Sequence, residues 1–164
     1  MPPFCPVDRC CWQQWQGCLA VSGDLSLCWP HQKLAIPCGI LKADQWRDRL
    51  SPQAYDVLRN EGTERPFTSP LNGEKRSGTY HCAGCDAALF SSEAKFDSGT
   101  GWPSFWQPLD GAIATKVDFK LILPRTEYHC SRCGGHQGHV FNDGPRPTGK
   151  RYCNNGVALR FQPA

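Results

Sequence analysis

The chain has 164 residues, enough for one domain of ordinary size with its own core. Its formal net charge of +3, from 18 Lys+Arg against 15 Asp+Glu, supplies no strong field for a polyanionic partner. A hydrophobic content of 40% excludes a disordered chain, and no run of roughly 18 apolar residues is present to cross a membrane as a helix.

Residues 1–40 differ in texture from the rest. They hold six cysteines (Cys5, Cys10, Cys11, Cys18, Cys28 and Cys38), three tryptophans (Trp12, Trp15 and Trp29) and little periodicity. They lack the basic start and apolar run of a secretory signal, and the Arg- and Ser-rich composition of a transit peptide. The expectation is a disordered N-terminal extension over 1–40, or a start set too early. A functional cysteine arm is the alternative. The folded domain is then expected over 41–164.

Helical signals begin at this boundary. Leu41, Trp46 and Leu50 fall near helical spacing. Ser51-Pro52 predicts a second helix, with Ser51 as N-cap and Pro52 at the first helical position. Tyr55, Val57 and Leu58 supply its apolar contacts, and Gly62 is the expected C-cap. Beyond residue 62, short apolar runs alternate with Gly, Pro, Asn and Asp. The runs are Thr79–His81, Ala88–Phe90, Ala112–Asp118, Glu127–His129, His139–Phe141 and Val157–Phe161, and each predicts a strand. Seven prolines from Pro66 to Pro147 forbid long helices in this region. The predicted architecture is a mainly β single domain with a small helical layer at its N-terminal side.

Eleven cysteines cannot all pair within the chain. Four of them form two tight pairs, Cys82-x-x-Cys85 and Cys130-x-x-Cys133. Each pair lets two thiolates point at one ion, and two such knuckles complete the closed four-sulfur shell that Zn²⁺ favours. Two disulfides, or four buried thiols, are the alternatives. The long stretch between the pairs means that an ion there would clip distant segments together. Gly84 and the Gly134-Gly135 pair suit the turns this requires.

Cys153 stands apart. Lys150 and Arg151 precede it, and Asn154 and Asn155 follow it. Cations and hydrogen-bond donors stabilise a thiolate, so this is a candidate nucleophile. A buried free cysteine in a strand is the plainer alternative. Two further strings look unlike core. One is the aromatic loop Gly99–Phe105, and the other is His136–Pro145 with its two histidines and Asp143. His81 and His129 are expected on strand surfaces, Trp106 as a packing residue and Asp97 in a turn.

Residues 55–163 resemble the B-type methionine sulfoxide reductases. The resemblance rests on Gly62–Thr68, Lys95–Phe105, Gly138–Pro145 and Thr148–Cys153, all collinear, with the two cysteine pairs matching the zinc-containing branch. It implies two small antiparallel sheets flanked by N-terminal helices. It also implies reduction of methionine-R-sulfoxide, mainly in oxidised proteins or peptides, by a monomer in the cytoplasm. An organelle remains open if 1–40 is a targeting segment. Carried over residue by residue, Cys153 resembles the nucleophile that attacks the sulfoxide sulfur and becomes a sulfenic acid. Trp102, with Phe105, resembles the aromatic wall that holds the substrate methyl. His139, with His136 beside it, resembles the group that assists protonation of the sulfoxide oxygen. Asp143, Arg151 and Asn155 match positions that organise the site. Cys82, Cys85, Cys130 and Cys133 match the ligands of one structural Zn²⁺. A thioredoxin-like reductant would restore the thiol.

The chain departs from one common pattern of that family. Thr100 occupies a loop position where many members carry a resolving cysteine. Direct attack by an external thiol is expected in its place. An arm cysteine such as Cys38, or a metal-site thiol, is the alternative. Gln137 and Asn154 replace residues that are commonly apolar in the family. A zinc-ribbon-like module that binds nucleic acid or protein is the competing class. The small net charge and the absence of a Lys/Arg stripe with interleaved aromatics speak against it.

Overall fold

A computed structural model describes residues 41–118 and 125–164. The expectations for 1–40, Cys38 among them, lie outside the described residues. Two helices open the described chain, α1 (Ala43–Arg49) and α2 (Pro52–Asn60). The Ser51 hydroxyl accepts from the Ala54 amide and Pro52 takes the first helical position, as the sequence predicts. The left-handed residue that ends α2 is Glu61, at φ 58°, rather than Gly62. Gly62 instead lies against the Asp56 side chain, where a Cβ would collide.

Nine strands follow among the described residues. They are β1 (Gly78–Cys82), β2 (Ala88–Ser91), β3 (Lys95–Phe96), β4 (Ser104–Phe105), β5 (Ile113–Asp118), β6 (Arg125–Cys130), β7 (His136–Phe141), β8 (Arg151–Asn154) and β9 (Leu159–Pro163). They form two antiparallel sheets, one in the order β2-β1-β9 and one in the order β3-β4-β8-β7-β6-β5. The mainly β class and the two sheets therefore stand as expected. The run Val157–Phe161 is not one strand. A 3₁₀ turn covers Gly156–Ala158 before β9 begins, because the Glu64 carboxylate takes the Gly156 and Val157 amides out of any ladder. Strands β3, β4 and β8 escape the sequence reading. The first two have only two residues each, and β8 reads Arg-Tyr-Cys-Asn without an apolar alternation.

The core lies where α2 meets both sheets. It gathers Val57 and Leu58 from α2, Tyr80 from β1, Leu89 and Phe90 from β2, Phe105 from β4 and Tyr128 from β6. Phe105 stacks on Phe90 with ring centroids 4.2 Å apart, and Tyr80 meets Phe105 edge-on at 4.9 Å. Such pairs add about 0.5–1.5 kcal/mol each beyond the area they bury. Tyr128 and Tyr152 extend the aromatic cluster under the centre of the larger sheet.

One close approach fixes the centre of that sheet. Gly138 on β7 faces Asn154 on β8, and a Cβ at 138 would land on the Cys153 carbonyl oxygen. Gly138→Ala must therefore push the two central strands apart. Overpacking of this kind costs about 1–3 kcal/mol. We expect a lower urea midpoint with an unchanged slope, measured by tryptophan fluorescence.

Candidate active site and metal centre

The two cysteine knuckles are built alike. In the first, the Asp86 amide donates to the Cys82 carbonyl and the Cys82 amide to the Ala87 carbonyl, both at 2.8 Å. In the second, the Gly134 amide donates to the Cys130 carbonyl and the Cys130 amide to the Gly135 carbonyl, both at 2.9 Å. The turn needs a positive φ at its fifth residue, which is Asp86 (62°) in one knuckle and Gly134 (67°) in the other. Gly84 has a different reason to lack a side chain, since a Cβ there would press on the Trp46 ring at 3.3 Å.

The knuckles bring all four sulfurs within 4.8 Å of one another. Cys82 Sγ lies 3.7 Å from Cys133 Sγ, and Cys85 Sγ lies 3.5 Å from Cys130 Sγ. A tetrahedral ion with sulfur bonds of ~2.3 Å needs sulfurs about 3.8 Å apart, so the donor set fits one such ion. The first pair sits at the β1–β2 turn and the second at the β6–β7 turn, so the cluster joins the two sheets. Gln137 Nε2 donates to Cys82 Sγ at 3.4 Å. An amide donor of this kind compensates thiolate charge inside the protein, which gives the unusual Gln137 a physical role.

A second, smaller cavity of about 140 Å³ lies on the larger sheet. Its lining includes Thr63, Trp102, Arg125, His139, Phe141 and Cys153. Register explains the grouping. His139 and Ser104 are both direct cross-strand partners of Cys153. Partners of this kind project to the same face of a sheet. The Asn154 amide donates to the Pro103 carbonyl at 2.9 Å, which binds the Trp102 loop to β8.

The electrostatics around Cys153 differ from the sequence expectation. Burial pushes the Cys153 thiol above its ordinary value, while the Arg151 cation and hydrogen bonds from Thr100 and Arg151 pull it down. Burial is the larger effect. Lys150 plays no part there, because its ammonium bonds to Asn142 Oδ1 at 2.6 Å on the surface. Asn154 and Asn155 are buried at the cavity wall. Arg151 is fixed from two sides. It makes paired 2.8 Å bonds to the Asp143 carboxylate, and its guanidinium lies 4.3 Å from the centre of the Phe141 ring.

His139 Nε2 lies 2.8 Å from Asp118 Oδ2, and Arg125 Nη2 donates to the same oxygen at 3.0 Å. A carboxylate only accepts, so His139 carries its proton on Nε2. His136 sits behind it, with Nδ1 2.8 Å from Glu127 Oε1 and its ring 5.5 Å from that of His139. His136 is buried and does not line the cavity; burial holds its pKa below the usual imidazole value. Asn155 is fully engaged, donating to the Gln137 carbonyl at 3.0 Å and accepting from the Glu64 amide at 3.1 Å. Phe105 is not brought to the cavity. It is fully buried, because Ser104 shares the face of Cys153 and the next residue must point into the core.

Glu64, Asp118 and Arg125 are the site residues that the sequence reading missed. Glu64 accepts from the Trp102 indole N–H through its carbonyl at 3.1 Å, while its carboxylate takes the Gly156 and Val157 amides. Asp118 and Arg125 are register partners at the end of the β5–β6 pair. Opposite charges at the two ends of a hairpin were the available signal.

Comparisons with known proteins identify the family. The family described as the SelR domain matches residues 50–163. The peptide methionine sulfoxide reductase MsrB of Leptospira interrogans is 54% identical over 123 residues, covering 74% of this chain and 94% of that protein. The chain belongs to the MsrB family. The MsrB of Pseudomonas putida is 54% identical over 121 residues, covering 73% of this chain and 91% of its own. The chloroplastic reductase B1 of Arabidopsis thaliana is 51% identical over 122 residues, covering 74% of this chain and 60% of its own.

In a member of this family the thiol cluster carries a testable load. Cys130→Ser should abolish metal binding by the cluster and lower the melting temperature by more than about 10 °C, since metal binding is coupled to folding. Metal content by atomic emission and a thermal melt on the same sample would check both.

Proposed function

We propose that the domain over 41–164 reduces methionine-R-sulfoxide, mainly in oxidised proteins, with Cys153 as nucleophile. The observation that supports this best is the cross-strand pairing of Cys153 with His139 on the wall of a cavity lined by Trp102. A sulfoxide needs a soft nucleophile at sulfur and a proton at oxygen. The cavity supplies both beside an aromatic face.

Trp102 receives the substrate methyl, with its indole N–H anchored on the Glu64 carbonyl. Cys153 attacks the sulfoxide sulfur as the thiolate. The S–O bond breaks, and a proton reaches the oxygen through His139 or a water it orders. Positioned proton transfer of this kind contributes typically ~10²–10⁴ in rate. The oxygen ends on Cys153 as a sulfenic acid, methionine leaves, and two electrons have moved from the cysteine sulfur to the substrate sulfur. Asp118 and Arg125 orient His139, and Glu127 with His136 supports it from behind. Asp143 holds Arg151, which stabilises the thiolate. Asn155 holds the Glu64 segment to β7.

An external thiol then condenses with the sulfenic acid, releasing water, and a second thiol frees Cys153 by exchange. A thioredoxin-like protein is the reductant of this reading. Among the described residues the cysteines are Cys153 and the four of the metal cluster. Thr100 in place of a loop cysteine favours direct attack on the sulfenic acid, with an arm cysteine such as Cys38 the alternative. Zn²⁺ is the ion of choice for four thiolates, and it supplies a structural clip. The protein acts as a monomer in a reducing compartment, the cytoplasm in this reading. The word chloroplastic in the names of two relatives makes an organelle the alternative.

Turnover of the separate R and S epimers with dithiothreitol tests the proposal. Wild type should reduce R alone, and Cys153→Ser should lose at least about 10³-fold in kcat/KM while keeping its metal and fold. Retained turnover in the variant would sink the assignment.

The pH profile carries a second expectation. Because burial holds the thiol above its ordinary value, kcat/KM should keep rising with pH through the alkaline range. Arg151→Ala removes the cation that lowers that value. The profile should then shift to higher pH, with Arg151→Lys shifting less.

A further inference from the structure

A second concavity among the described residues lies beside the cavity of Cys153. It is a groove of about 670 Å³ that shares Trp102 with that cavity. Its lining includes Phe67, Asn72, Lys95, Phe96, Gly101 and Trp102. A space of about 140 Å³ accepts the end of one side chain. A sulfoxide in a protein arrives with neighbouring residues attached, and these must lie against the surface beside Trp102.

Two features mark the groove as built for an occupant. The first is Phe67. Its ring is 73% exposed, and its backbone holds φ 64°, a conformation that side-chain-bearing residues rarely adopt. An exposed aromatic in a strained backbone gains nothing from the core. It is held there because its amide donates to the Gly101 carbonyl at 2.7 Å, and Asn72 Nδ2 donates to the same oxygen at 2.9 Å. The contact fixes Phe67 against the loop that carries Trp102.

The second feature is charge. The lining contains three cations, Lys75, Arg76 and Lys95, against two carboxylates, Glu74 and Asp97. Glu74 and Arg76 offset each other, which leaves Lys75 and Lys95 against Asp97. Glu74 takes a paired bond from Arg76, and Asp97 accepts the Gly99 amide at 2.9 Å. Lys95 is half-buried, and its one described hydrogen bond is to the Asn72 carbonyl at 2.9 Å. Its ammonium can donate three. Burial of this cation without a bonded carboxylate pulls its pKa below the usual lysine value, with Asp97 and Glu74 opposing only at a distance.

We propose that this groove binds the polypeptide flanking the sulfoxide, with Phe67 gripping its apolar surface and Lys95 pairing with an acidic side chain. The proposal rests on the reductase reading and adds a substrate class to it: methionine sulfoxide beside Asp or Glu in an extended segment.

The test compares N-acetyl-methionine-R-sulfoxide methylamide with pentapeptides carrying a central methionine-R-sulfoxide flanked by Asp, Ala or Lys, with dithiothreitol as reductant. Wild type should show its lowest KM for the Asp peptide and its highest among the peptides for the Lys peptide. Lys95→Met keeps the stem and removes the charge. It should cut the preference for Asp over Lys by about threefold or more. Phe67→Gly keeps the positive φ without strain and removes the ring. It should raise the ratio of peptide KM to amide KM about fivefold. Equal kcat/KM for the amide and every peptide in wild type overturns the groove and leaves the reductase reading intact. Absence of turnover on all of them overturns that reading itself. Unchanged peptide KM in both variants, with a raised KM for a thioredoxin used as reductant, assigns the groove to the reductant and overturns the peptide proposal.

Discussion

Four thiols drawn from two β-turns tie the smaller sheet to the larger one, and most of the domain is arranged around that tie. The same cluster organises the helices. The Arg59 guanidinium donates to the Cys133 carbonyl at 3.0 Å and also stacks on the Trp46 ring at 4.9 Å. A Cβ at Gly135 would press on Leu58 of α2 at 2.9 Å. So α1 and α2 rest on the knuckles, and Leu58 packs between the metal site and the aromatic core. An ion held by all four thiols would fix both turns at once and close a loop between segments remote in sequence.

From the knuckles, rigidity passes to Cys153 through β7. That strand begins one residue after the second knuckle, carries Gln137 to Cys82, and then presents His139 opposite Cys153. The Gln137 carbonyl also receives the Asn155 amide and its side chain. Asn155 in turn accepts from the Glu64 amide, and the Glu64 carbonyl holds the Trp102 indole. The Trp102 indole is thus tied to the cysteine cluster through Gln137, Asn155 and Glu64, while the His139 imidazole is held separately by Asp118. Glu64 is central to that tie. Burial raises its carboxyl pKa while two backbone amides oppose that rise, which is how a buried carboxylate remains an acceptor.

Much of this was legible in the sequence, for identifiable reasons. The Ser51-Pro52 cap is a local signal and the helix starts where it says. The cysteine spacing is a chemical signal and the four sulfurs meet. Strands with apolar alternation, such as β1 and β6, were found for the same reason. Strand β8 was hidden because its residues are chosen for chemistry rather than burial pattern. Phe105 was misassigned because its neighbour in sequence, Ser104, takes the cavity-facing position, and a two-residue strand gives no periodicity from which to read the face. The environment of Cys153 was misjudged for a related reason. Adjacent cations in sequence alternate across a strand, so Arg151 reaches the thiol while Lys150 points to solvent. Glu64 and Asp118 act across more than 20 residues, a separation no local pattern can encode.

The buried thiol and Thr100 belong to one argument. A site that accepts a methyl group must exclude water, and exclusion raises the thiol's pKa. Arg151 offsets this, but its charge is already shared with the 62%-exposed Asp143 and softened against Phe141. The remaining help comes from Thr100, whose hydroxyl reaches the sulfur and is itself linked to Ser98 and, through it, to Ser104 at 2.8 and 2.7 Å. A hydroxyl at this position donates a hydrogen bond where a thiol would offer a disulfide. Under the proposed function, Thr100 thus gives up a resolving group and supports the Cys153 thiolate instead. In the same reading, an external thiol would reach a sulfenic acid on Cys153 through the mouth of the cavity. That mouth is bounded by Trp102, the residue that the groove shares.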